Sequence, residues 1–412
     1  MDLIVVGGGA SGLVAAWRAA TLGHRVVLLE GNPRMGAKLL ISGGGKCNLT
    51  HEGGAKELLG AFPGEQARFL RAAFHAFGSE AVRDLFRREG VESYARENGR
   101  VFPSPPGSAI QIVGALEALA RRAGVTIRTG AQVLELRGKA PALEGVVLAS
   151  GEVLRADLFI LAIGGASYPE TGTRGEALGW LQHLGVEVKP WFPALAPIPL
   201  AASRPAWEGV PLRGGTLVLR EGQGGRRLAA FTGDILFTRK GITGPAALEL
   251  SQAAEAARRQ GHGWLGYQLS QGDEESLEAE LIALQKNNPH LSLGHWVHRR
   301  LPERLVAEVC ASAGVAPEDR FKALPRPGRK ALASQLAEFP LGKPAAVTLE
   351  RGEVCAGGVP LDQVDPRTLL VRGWQNLKVC GELLDLNGPV GGYNLQAAFS
   401  TGYLAGDVAG AR

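Results

Sequence analysis

The sequence contains few cysteines, and none lies in a paired motif. There are four cysteines in 412 residues, and no two of them form C-x-x-C. A disulfide framework, a zinc ribbon and a dithiol redox centre are therefore not indicated. Free thiols are typical of the reducing cytosol, so we expect a cytoplasmic protein. His290, His295 and His298 lie close together in sequence, but no cysteine or carboxylate completes a ligand set, and we predict no metal site.

Long apolar runs and a charge of one sign are also missing. No stretch of about 20 apolar residues could span a bilayer, so we expect no membrane partner. The apolar N-terminus is not typical of a signal peptide, because it has no basic segment and residues 7–9 are glycines. The 45 basic and 40 acidic side chains leave a net charge of +5, which by itself does not indicate nucleic-acid binding.

Glycine, in contrast, is abundant, with 58 residues, and its first cluster has the spacing of a dinucleotide-binding fingerprint. An apolar strand at residues 4–6 leads into Gly7, Gly9 and Gly12. Gly7 permits the tight turn, Gly9 lets the backbone approach a pyrophosphate, and Gly12 lets the next helix pack against the strand. The motif predicts a site for an adenine dinucleotide.

The residues after this turn complete a βαβ unit. A helix predicted at residues 13–22, preceded by Ala10 and Ser11, directs free N–H groups at the phosphates. A second strand, Arg25–Leu29, ends at Glu30, whose carboxylate suits the hydroxyls of an adenosine ribose. Strand, glycines, helix, second strand and acid occur in this order, which makes a coincidental glycine turn a poor alternative.

A second cluster near the C-terminus has the same sequence features: a strand, glycines, an acidic residue and the start of a helix. A predicted strand that begins at Leu377 leads to Gly381 and Glu382. A helix then follows Gly392 and extends to about Ala405. A helix N-terminus stabilises negative charge, and a reduced flavin carries negative charge on the N1–C2=O2 edge of its ring system. Two strands that each end at an acidic residue, together with two helix N-termini, therefore suit a long ligand such as FAD better than NAD.

The middle of the chain predicts a cofactor domain that is split by an insertion. Residues 158–163 form a continuous apolar run, typical of a parallel strand buried on both faces, and Gly164 and Gly165 follow it. Four prolines within residues 189–199 indicate a connector at a domain crossing. The insertion shows strand patterns first, and residues 252–340 then have the Ala, Leu, Glu and Arg content typical of helices.

Five segments of the sequence carry a resemblance to a known family. They are residues 36–50, 162–172, 235–245, 355–359 and 381–396. In these motifs and their order the chain resembles the BaiN-like, aminoacetone oxidase-like family of bacterial FAD-dependent oxidoreductases, and the resemblance covers nearly the whole chain. Its members share the FAD-binding domain of the glutathione-reductase and succinate-dehydrogenase type.

The resemblance implies an α/β fold in which a Rossmann-like FAD-binding domain is interrupted by an insertion. The FAD-binding domain would consist of residues 1–190 and 345–412. The insertion would consist of a β-barrel-like domain, residues 191–251 and about 335–344, and a helical domain, residues 252–334.

The motifs and the resemblance together assign the cofactor-binding residues. By resemblance, the first glycine cluster would hold the pyrophosphate, Glu30 the adenosine ribose and Glu382 the ribityl chain. Val133 would contact adenine through its backbone, and residues 392–395 would lie at the pyrimidine edge of the flavin. The predicted cofactor-binding residues are Gly7, Gly9, Ala10, Ser11, Gly12, Glu30, Lys38, Ser42, Gly43, Gly45, Lys46, Cys47, Asn48, Val133, Gly164, Gly165, Gly381, Glu382, Gly392, Tyr393, Asn394 and Leu395.

Candidate catalytic residues each have a structural alternative. In the loop of residues 42–48, three glycines free the backbone for close approach to a flat ring and Lys46 adds a positive charge; the alternative is a flexible connector. Cys47 is a candidate reactive thiol or a small buried residue. Asp385 is a candidate proton donor or acceptor, or a turn-capping residue. Tyr393 either protonates a substrate or forms the wall of the flavin pocket.

These features predict an FAD-dependent oxidoreductase that transfers a hydride between flavin N5 and a small organic substrate, or NAD(P)H. The chain has one complete G-x-G-x-x-G motif, so NAD(P)H would bind transiently as an electron donor and not in a domain of its own. The resemblance brings both the oxidation of the amine aminoacetone and the reduction of unsaturated bile acids into consideration, and the sequence does not choose between them.

The alternative from a different class is an RNA-modifying flavoprotein that uses reduced FAD for one-carbon transfer. The arginines between Arg68 and Arg100 could contact RNA, but acidic residues are interspersed among them, as on a solvated helical face. A small-molecule partner is therefore favoured over nucleic acid. The sequence does not indicate an oligomeric state.

Overall fold

The computed structural model describes residues 1–202, 204–269 and 272–408. The chain separates into two compact units. The first consists of Met1–Phe192 together with Leu349–Arg412, and the second is Pro193–Thr348. The domain limits expected at residues 190 and 345 stay a prediction. The division of the insertion into a β-barrel-like and a helical domain stays a prediction.

Strands and helices occur in both units. The strands are β1 (Asp2–Val6), β2 (Arg25–Leu29), β3 (Thr50–His51), β4 (Ser93–Ala95), β5 (Arg100–Pro103), β6 (Thr126–Arg128), β7 (Val133–Lys139), β8 (Ala142–Leu148), β9 (Val153–Leu154), β10 (Leu158–Leu161), β11 (Lys189–Ala194), β12 (Ile198–Pro199), β13 (Pro211–Leu212), β14 (Thr216–Arg220), β15 (Arg227–Thr232), β16 (Ile235–Thr238), β17 (Gly241–Thr243), β18 (Trp264–Gln268), β19 (Glu338–Gly342), β20 (Val354–Gly358) and β21 (Leu377–Val379). The α-helices are α1 (Ala10–Thr21), α2 (Ala37–Ile41), α3 (Ala55–Gly60), α4 (Gly64–Ala76), α5 (Ser79–Arg88), α6 (Ala109–Arg122), α7 (Ala177–His183), α8 (Pro245–Arg259), α9 (Glu274–Asn287), α10 (Leu293–His298), α11 (Glu303–Ser312), α12 (Arg326–Ala337) and α13 (Tyr393–Gly406).

The first unit is built on a parallel five-stranded sheet with the strand order β21–β10–β1–β2–β6. Val5 of β1 lies opposite Ile160 of β10 and Leu28 of β2, and all three side chains are buried. A parallel sheet is covered on both faces, which explains why β10 is apolar at every position. The sequence-based prediction of a Rossmann-like α/β core is confirmed. Two small antiparallel sheets, β3–β5–β4 and β7–β8–β9, belong to the same unit.

Helix α1 packs against α13 with the two backbones almost in contact. A Cβ added to Gly402 would lie 2.8 Å from the Cα of Ser11, and one added to Gly406 would lie 3.0 Å from the Cα of Ala15. Both added atoms would also collide with carbonyl oxygens of α1. The last helix of the chain is therefore held against the helix that follows the first glycine cluster.

The second unit contains two four-stranded antiparallel sheets and helices α8 to α12. The sheet orders are β12–β17–β16–β13 and β15–β14–β18–β19. Trp207 joins the core of this unit, with its ring centroid 5.0 Å from that of Phe237 and 5.5 Å from that of Phe339. The prediction of helices alone across residues 252–340 is wrong at β18 and β19. Tyr267 of β18 is fully buried, and the short strand was concealed because it lies between the longer helices α8 and α9.

Most of the predicted elements are confirmed. Strand β2 has the expected limits, the first helix begins three residues before the expected start at residue 13, and the last helix ends at Gly406. The stretch of residues 31–50, for which the sequence indicated no element, contains α2 and a 3₁₀ turn at Ser42–Gly45. Both are too short to produce a periodic apolar pattern.

Candidate functional site

The predicted cofactor residues of the two sequence clusters gather at one edge of the parallel sheet. Gly7 follows β1, Glu30 follows β2, Gly164 comes shortly after β10, and Gly381 comes shortly after β21. All four strands are parallel, so these residues lie at the carboxyl ends of the strands. Ligands of open α/β sheets bind at this edge. It is therefore the candidate FAD site.

The first glycine turn is packed against protein on one side and open on the other. Gly7 has a φ of +104°, and a Cβ there would lie 2.5 Å from the carbonyl oxygen of Ala162. A Cβ at Gly12 would collide with the carbonyl oxygen of Gly7. At Gly9, within the described part of the chain, an added Cβ would meet no atom within 4 Å. Space for a ligand is therefore left at Gly9 alone of the three.

Helix α1 begins directly after this opening. No side chain among the described residues caps its N-terminus, and the first hydrogen bond of the helix runs from the N–H of Leu13 to the carbonyl oxygen of Gly9, over 3.0 Å. The N–H groups of a first helical turn have no partner within the helix. Those of Ala10, Ser11 and Gly12 are therefore available to an anion, and the residues present fit the pyrophosphate of FAD.

Glu30 is fixed beside the glycine turn. Its carboxylate accepts the N–H of Gly8 over 2.7 Å and the N–H of Asn32 over 2.8 Å. The backbone oxygen of Glu30 accepts the N–H of Ala131 over 2.9 Å, two residues before Val133 opens β7. The structure thus brings Glu30 and Val133 to the same end of the site, the end expected to bind adenosine.

The second acid of the sequence pattern, Glu382, lies in a small polar cluster. Its carboxylate accepts the ammonium of Lys38 over 2.7 Å and the N–H of Cys355 over 2.8 Å. Lys38 also donates to the hydroxyl of Ser167. A Cβ at Gly165 would lie 3.1 Å from the sulfur of Cys355 and 3.3 Å from the carboxyl carbon of Glu382. The cluster therefore packs directly under the glycine pair that follows β10.

We expect Lys38→Met to lower the free energy of unfolding by about 2 kcal/mol, because it leaves the Glu382 carboxylate without its cation. The side chains of Lys38 and Glu382 are 28% and 17% exposed, so the effect should lie between those of surface and buried ion pairs. Lys189→Met is the matched control, since the Lys189 side chain is 59% exposed in its pair with Asp385. Urea denaturation measures the free energy of unfolding of both variants as apoproteins. An equal decrease in the two variants would contradict a special role of Lys38.

The glycine loop of residues 42–48 turns through left-handed backbone. Gly43, Gly44 and Gly45 have φ values of +57°, +65° and +82°. A Cβ at Gly44 would meet no described atom within 4 Å, and Lys46 is exposed. Ser42 donates to the carbonyl oxygen of Leu39 over 2.7 Å and so ties the loop to α2. The backbone of the loop is open, as expected if a flat ring approaches it closely. The contact of this loop with the flavin ring stays a prediction.

Cys47 is completely buried and adopts a φ of +56°. Burial raises the pKa of its thiol to about 12, so the thiolate is scarce at neutral pH. Reactive cysteines have a lowered pKa and are partly exposed. This environment favours the structural alternative for Cys47.

The glycine loop and the start of α13 are joined by hydrogen bonds. In the amide orientation that its neighbours require, the oxygen of Asn48 accepts the N–H of Gly392 over 2.9 Å. Gly392 has a φ of +95°, and a Cβ there would lie 2.5 Å from the carbonyl carbon of Thr50. The side chain of Gln396, fully buried, accepts from the hydroxyl of Thr50. These contacts bring two segments together that are more than 300 residues apart in sequence.

Three predicted residues of α13 lie at or near its N-terminus. The ring of Tyr393 stacks on His51 with a centroid distance of 4.7 Å, and burial raises the pKa of its phenol. Asn394 accepts the N–H of Gly388 over 2.8 Å and donates to its carbonyl oxygen over 2.8 Å. Leu395 is half-buried. A neutral, stacked Tyr393 is consistent with the wall of a pocket.

Asp385 is engaged by two partners. Its carboxylate accepts the ammonium of Lys189 over 2.7 Å and the N–H of Gly357 over 2.9 Å. These contacts favour the structural alternative, because a carboxylate held by a cation and a backbone N–H is occupied on both oxygens. A part for Asp385 in catalysis stays a prediction.

Several polar residues of the site were not singled out in the sequence. They are Asn32, Ser167, Glu353 and Cys355. Ser167 and Cys355 lie in two of the segments that carry the family resemblance, residues 162–172 and 355–359, which was the sequence signal for them. Asn32 donates to Glu30 two residues earlier and also to the carbonyl oxygen of Thr171, and only the second of these contacts joins segments that are distant in sequence.

The described residues show neither a metal-binding cluster nor a membrane-spanning helix. In residues 1–202, 204–269 and 272–408, no three side chains of His, Cys, Asp and Glu come together as a metal site would require. None of the described helices is both long and apolar enough to cross a membrane.

Comparison with known proteins supports the Rossmann core over the whole length. The family model described as "HI0933-like protein Rossmann domain" matches residues 1–408. Ribosomal RNA dihydrouridine synthase of Escherichia coli (strain K12) is 28% identical, over 98% of this chain and 96% of that protein. The 3-dehydro-bile acid delta(4,6)-reductase of Clostridium scindens is 29% identical, over 99% of this chain and 98% of that protein.

A solved structure has the same fold at low sequence identity. The 3-ketosteroid delta1-dehydrogenase from Sterolibacterium denitrificans, in complex with 1,4-androstadiene-3,17-dione, superposes with a TM-score of 0.53. It is 13% identical, and the match covers 98% of each chain. The family match, together with the glycine turn and helix N-terminus that fit a pyrophosphate, identifies the kind of protein. The chain belongs to the HI0933-like family of Rossmann-domain proteins and is an FAD-dependent oxidoreductase.

Proposed function

We propose that this enzyme reduces a carbon–carbon double bond conjugated to a carbonyl group, with NAD(P)H as the electron donor. One observation carries the proposal: two relatives that match over nearly the whole chain have names that describe this chemistry. Dihydrouridine is uridine with two hydrogens added beside a ring carbonyl. A delta(4,6)-reductase of a 3-dehydro bile acid removes unsaturation that is conjugated to the 3-oxo group. The two substrates differ, whereas the reacting group is the same.

The residues at the sheet edge have separate tasks in this proposal. The open turn at Gly9 and the N-terminus of α1 hold the pyrophosphate, while Glu30 holds the adenosine ribose. FAD, once bound and reduced, supplies the hydride. The N-terminus of α13, which begins at Tyr393 and has no side-chain cap among the described residues, stabilises negative charge at the pyrimidine edge. The ordered backbone around Gly392 keeps that helix end in place.

A small-molecule acceptor is the first candidate substrate. The hydride acceptor must approach the flavin, and the stacked ring of Tyr393 and the exposed backbone of the glycine loop would border its path. All four cysteines are free and buried, which suits a cytoplasmic enzyme.

A uridine in RNA is the second candidate substrate. The relatives from Escherichia coli and Haemophilus influenzae, the latter 25% identical over 97% of this chain, are both named ribosomal RNA dihydrouridine synthase. Such a substrate would require RNA binding that weakens steeply as the salt concentration rises. In this reaction the uridine would gain two hydrogen atoms. It would not receive a carbon unit, so the reaction differs from the one-carbon transfer considered in the sequence analysis.

Product analysis tests the proposed function. The FAD-loaded enzyme would be incubated anaerobically with NADPH or NADH and either a 3-oxo-4-ene steroid or unmodified ribosomal RNA. Mass spectrometry should detect the gain of two hydrogen atoms by one acceptor, and the acceptor that gains them identifies the substrate class. Transfer of a carbon unit, or oxidation of an added amine with neither acceptor reduced, would contradict the proposal.

A further inference from the structure

Glu353 lies at a fixed point beside the candidate site. It stands two residues before Cys355, whose N–H donates to Glu382 and whose sulfur accepts the N–H of Ala166 over 3.2 Å. Cys355 is completely buried. The segment that carries Glu353 is therefore held against the cluster of Glu382 and Lys38 and against the chain that leaves β10.

Within the described part of the chain, the carboxylate of Glu353 has no partner of its own. Among the described residues no hydrogen bond or ion pair reaches it, although Glu30, Glu382 and Asp385 are each engaged by two or more donors. Glu353 is exposed to solvent, and yet the surrounding protein removes enough hydration to raise its pKa. Burial by the surrounding protein therefore disfavours the ionised form of this carboxyl group.

The charged and titratable groups around Glu353 come from several elements. Lys38 of α2 and Arg100 of β5 oppose the effect of burial, and the pKa of Glu353 is nevertheless raised. Tyr168, which follows β10 with a φ of +51°, is half-buried; burial is the largest cause of its raised pKa, and the charges of Glu353 and Glu170 raise it further. Arg351, in the same segment as Glu353, acts in the opposite direction on Tyr168. Tyr168 therefore stays a neutral phenol beside Glu353.

We propose that Glu353 donates the proton that completes the reduction of the double bond, an inference that rests on the proposed function. Hydride added to the β-carbon of a conjugated carbonyl moves the electron pair of the double bond towards the carbonyl oxygen. The α-carbon must then take a proton, which the Glu353 carboxyl group releases to become a carboxylate. Solvent returns a proton to Glu353, which is exposed, and NAD(P)H restores the reduced cofactor.

The other candidates for this task are less suited. The carboxylate of Asp385 is bound by Lys189 and by the N–H of Gly357. Cys47 is completely buried, so neither solvent nor a substrate reaches its thiol. A group that passes a proton in every turnover must reach both the substrate and a source of protons. Glu353 has access to solvent and no partner among the described residues, and its segment is held against the cluster of Glu382 and Lys38 beside the site.

The test compares Glu353→Gln with Glu170→Gln. Both variants remove a negative charge that acts on Tyr168, and Glu170 is exposed on the surface. Stopped-flow absorbance would follow the two half-reactions separately. Flavin reduction by NAD(P)H should be unchanged in both variants, whereas reoxidation by the conjugated acceptor should slow by about 100-fold or more in Glu353→Gln alone. The rate of reoxidation in the wild type should fall as pH rises through the pKa of Glu353, and this dependence should be absent in Glu353→Gln.

A second readout does not depend on turnover. Infrared difference spectra of the apoprotein should show one carboxyl band that persists to a higher pH than that of an exposed glutamate, and Glu353→Gln should remove it. Reoxidation of Glu353→Gln at the wild-type rate, or an unchanged pH profile, would overturn the assignment while leaving the proposed function intact. If no conjugated acceptor reoxidises the wild-type enzyme, the proposed function fails and the role of Glu353 fails with it.

Discussion

Replacing Gly9 by leucine should abolish FAD binding while leaving the protein folded. A side chain at this position meets no described protein atom near its Cβ, so the first unit can fold around it. The side chain would occupy the space above the N-terminus of α1, where the pyrophosphate is expected. We therefore expect the purified variant to lack the yellow colour of the holoenzyme and to have the circular dichroism and melting temperature of wild-type apoprotein.

Gly12→Ala is the informative control for this experiment. Its added methyl group would collide with the carbonyl oxygen of Gly7, so the expected result is a less stable protein. The two variants together separate a glycine that leaves room for a ligand from a glycine that leaves room for the chain itself. Stoichiometric FAD in purified Gly9→Leu would show that the pyrophosphate lies elsewhere.

Gly402→Ala should destabilise the first unit and weaken FAD binding at the same time. The added methyl group would lie 2.8 Å from the Cα and 2.9 Å from the carbonyl carbon of Ser11, and backbone atoms cannot move aside as a flexible side chain can. Overpacking of this kind costs about 1–3 kcal/mol. Separation of α13 from α1 would also displace the N-terminus of α1, which holds the pyrophosphate.

Gly114→Ala provides the matched control. Gly114 lies in the interior of α6, is exposed, and leaves space for a Cβ with no described atom within 4 Å. Alanine is favoured over glycine in a helix by up to about 1 kcal/mol, so this variant should be as stable as the wild type or more stable. Thermal denaturation and FAD titration of both variants measure the difference. Equal melting temperatures would mean that the two helices can separate without cost.

The parts of the site that could be predicted from the sequence are those in which local chain geometry determines the residue type. Gly7, Gly12 and Gly392 are glycines because a turn or a close backbone approach excludes a Cβ, and the spacing of the first two is fixed by a single βαβ unit. Strand β10 was recognised for a similar reason, because burial on both faces requires an uninterrupted apolar run.

The parts that could not be predicted depend on contacts between distant segments. Gly402 contacts Ser11 across nearly the whole chain, and in the sequence it is one small residue among many in α13. The partners of Glu382 come from α2 and β20, so its pairing with Lys38 has no local signature. Glu353 was missed because nothing in the sequence distinguishes it from an ordinary surface glutamate. Its position beside the cluster of Glu382 and Lys38 is evident only in the folded structure.

The most direct measurement is an anaerobic titration of the FAD-loaded enzyme, followed by the visible absorbance of oxidised flavin. Addition of NADPH or NADH should bleach the flavin, and a conjugated acceptor, either a 3-oxo-4-ene steroid or uridine-containing ribosomal RNA, should then restore the colour with one product molecule per flavin. This result would establish a reductase of activated double bonds. A flavin that neither nicotinamide bleaches, but that an added amine reduces, would contradict the account and identify an oxidase or dehydrogenase instead.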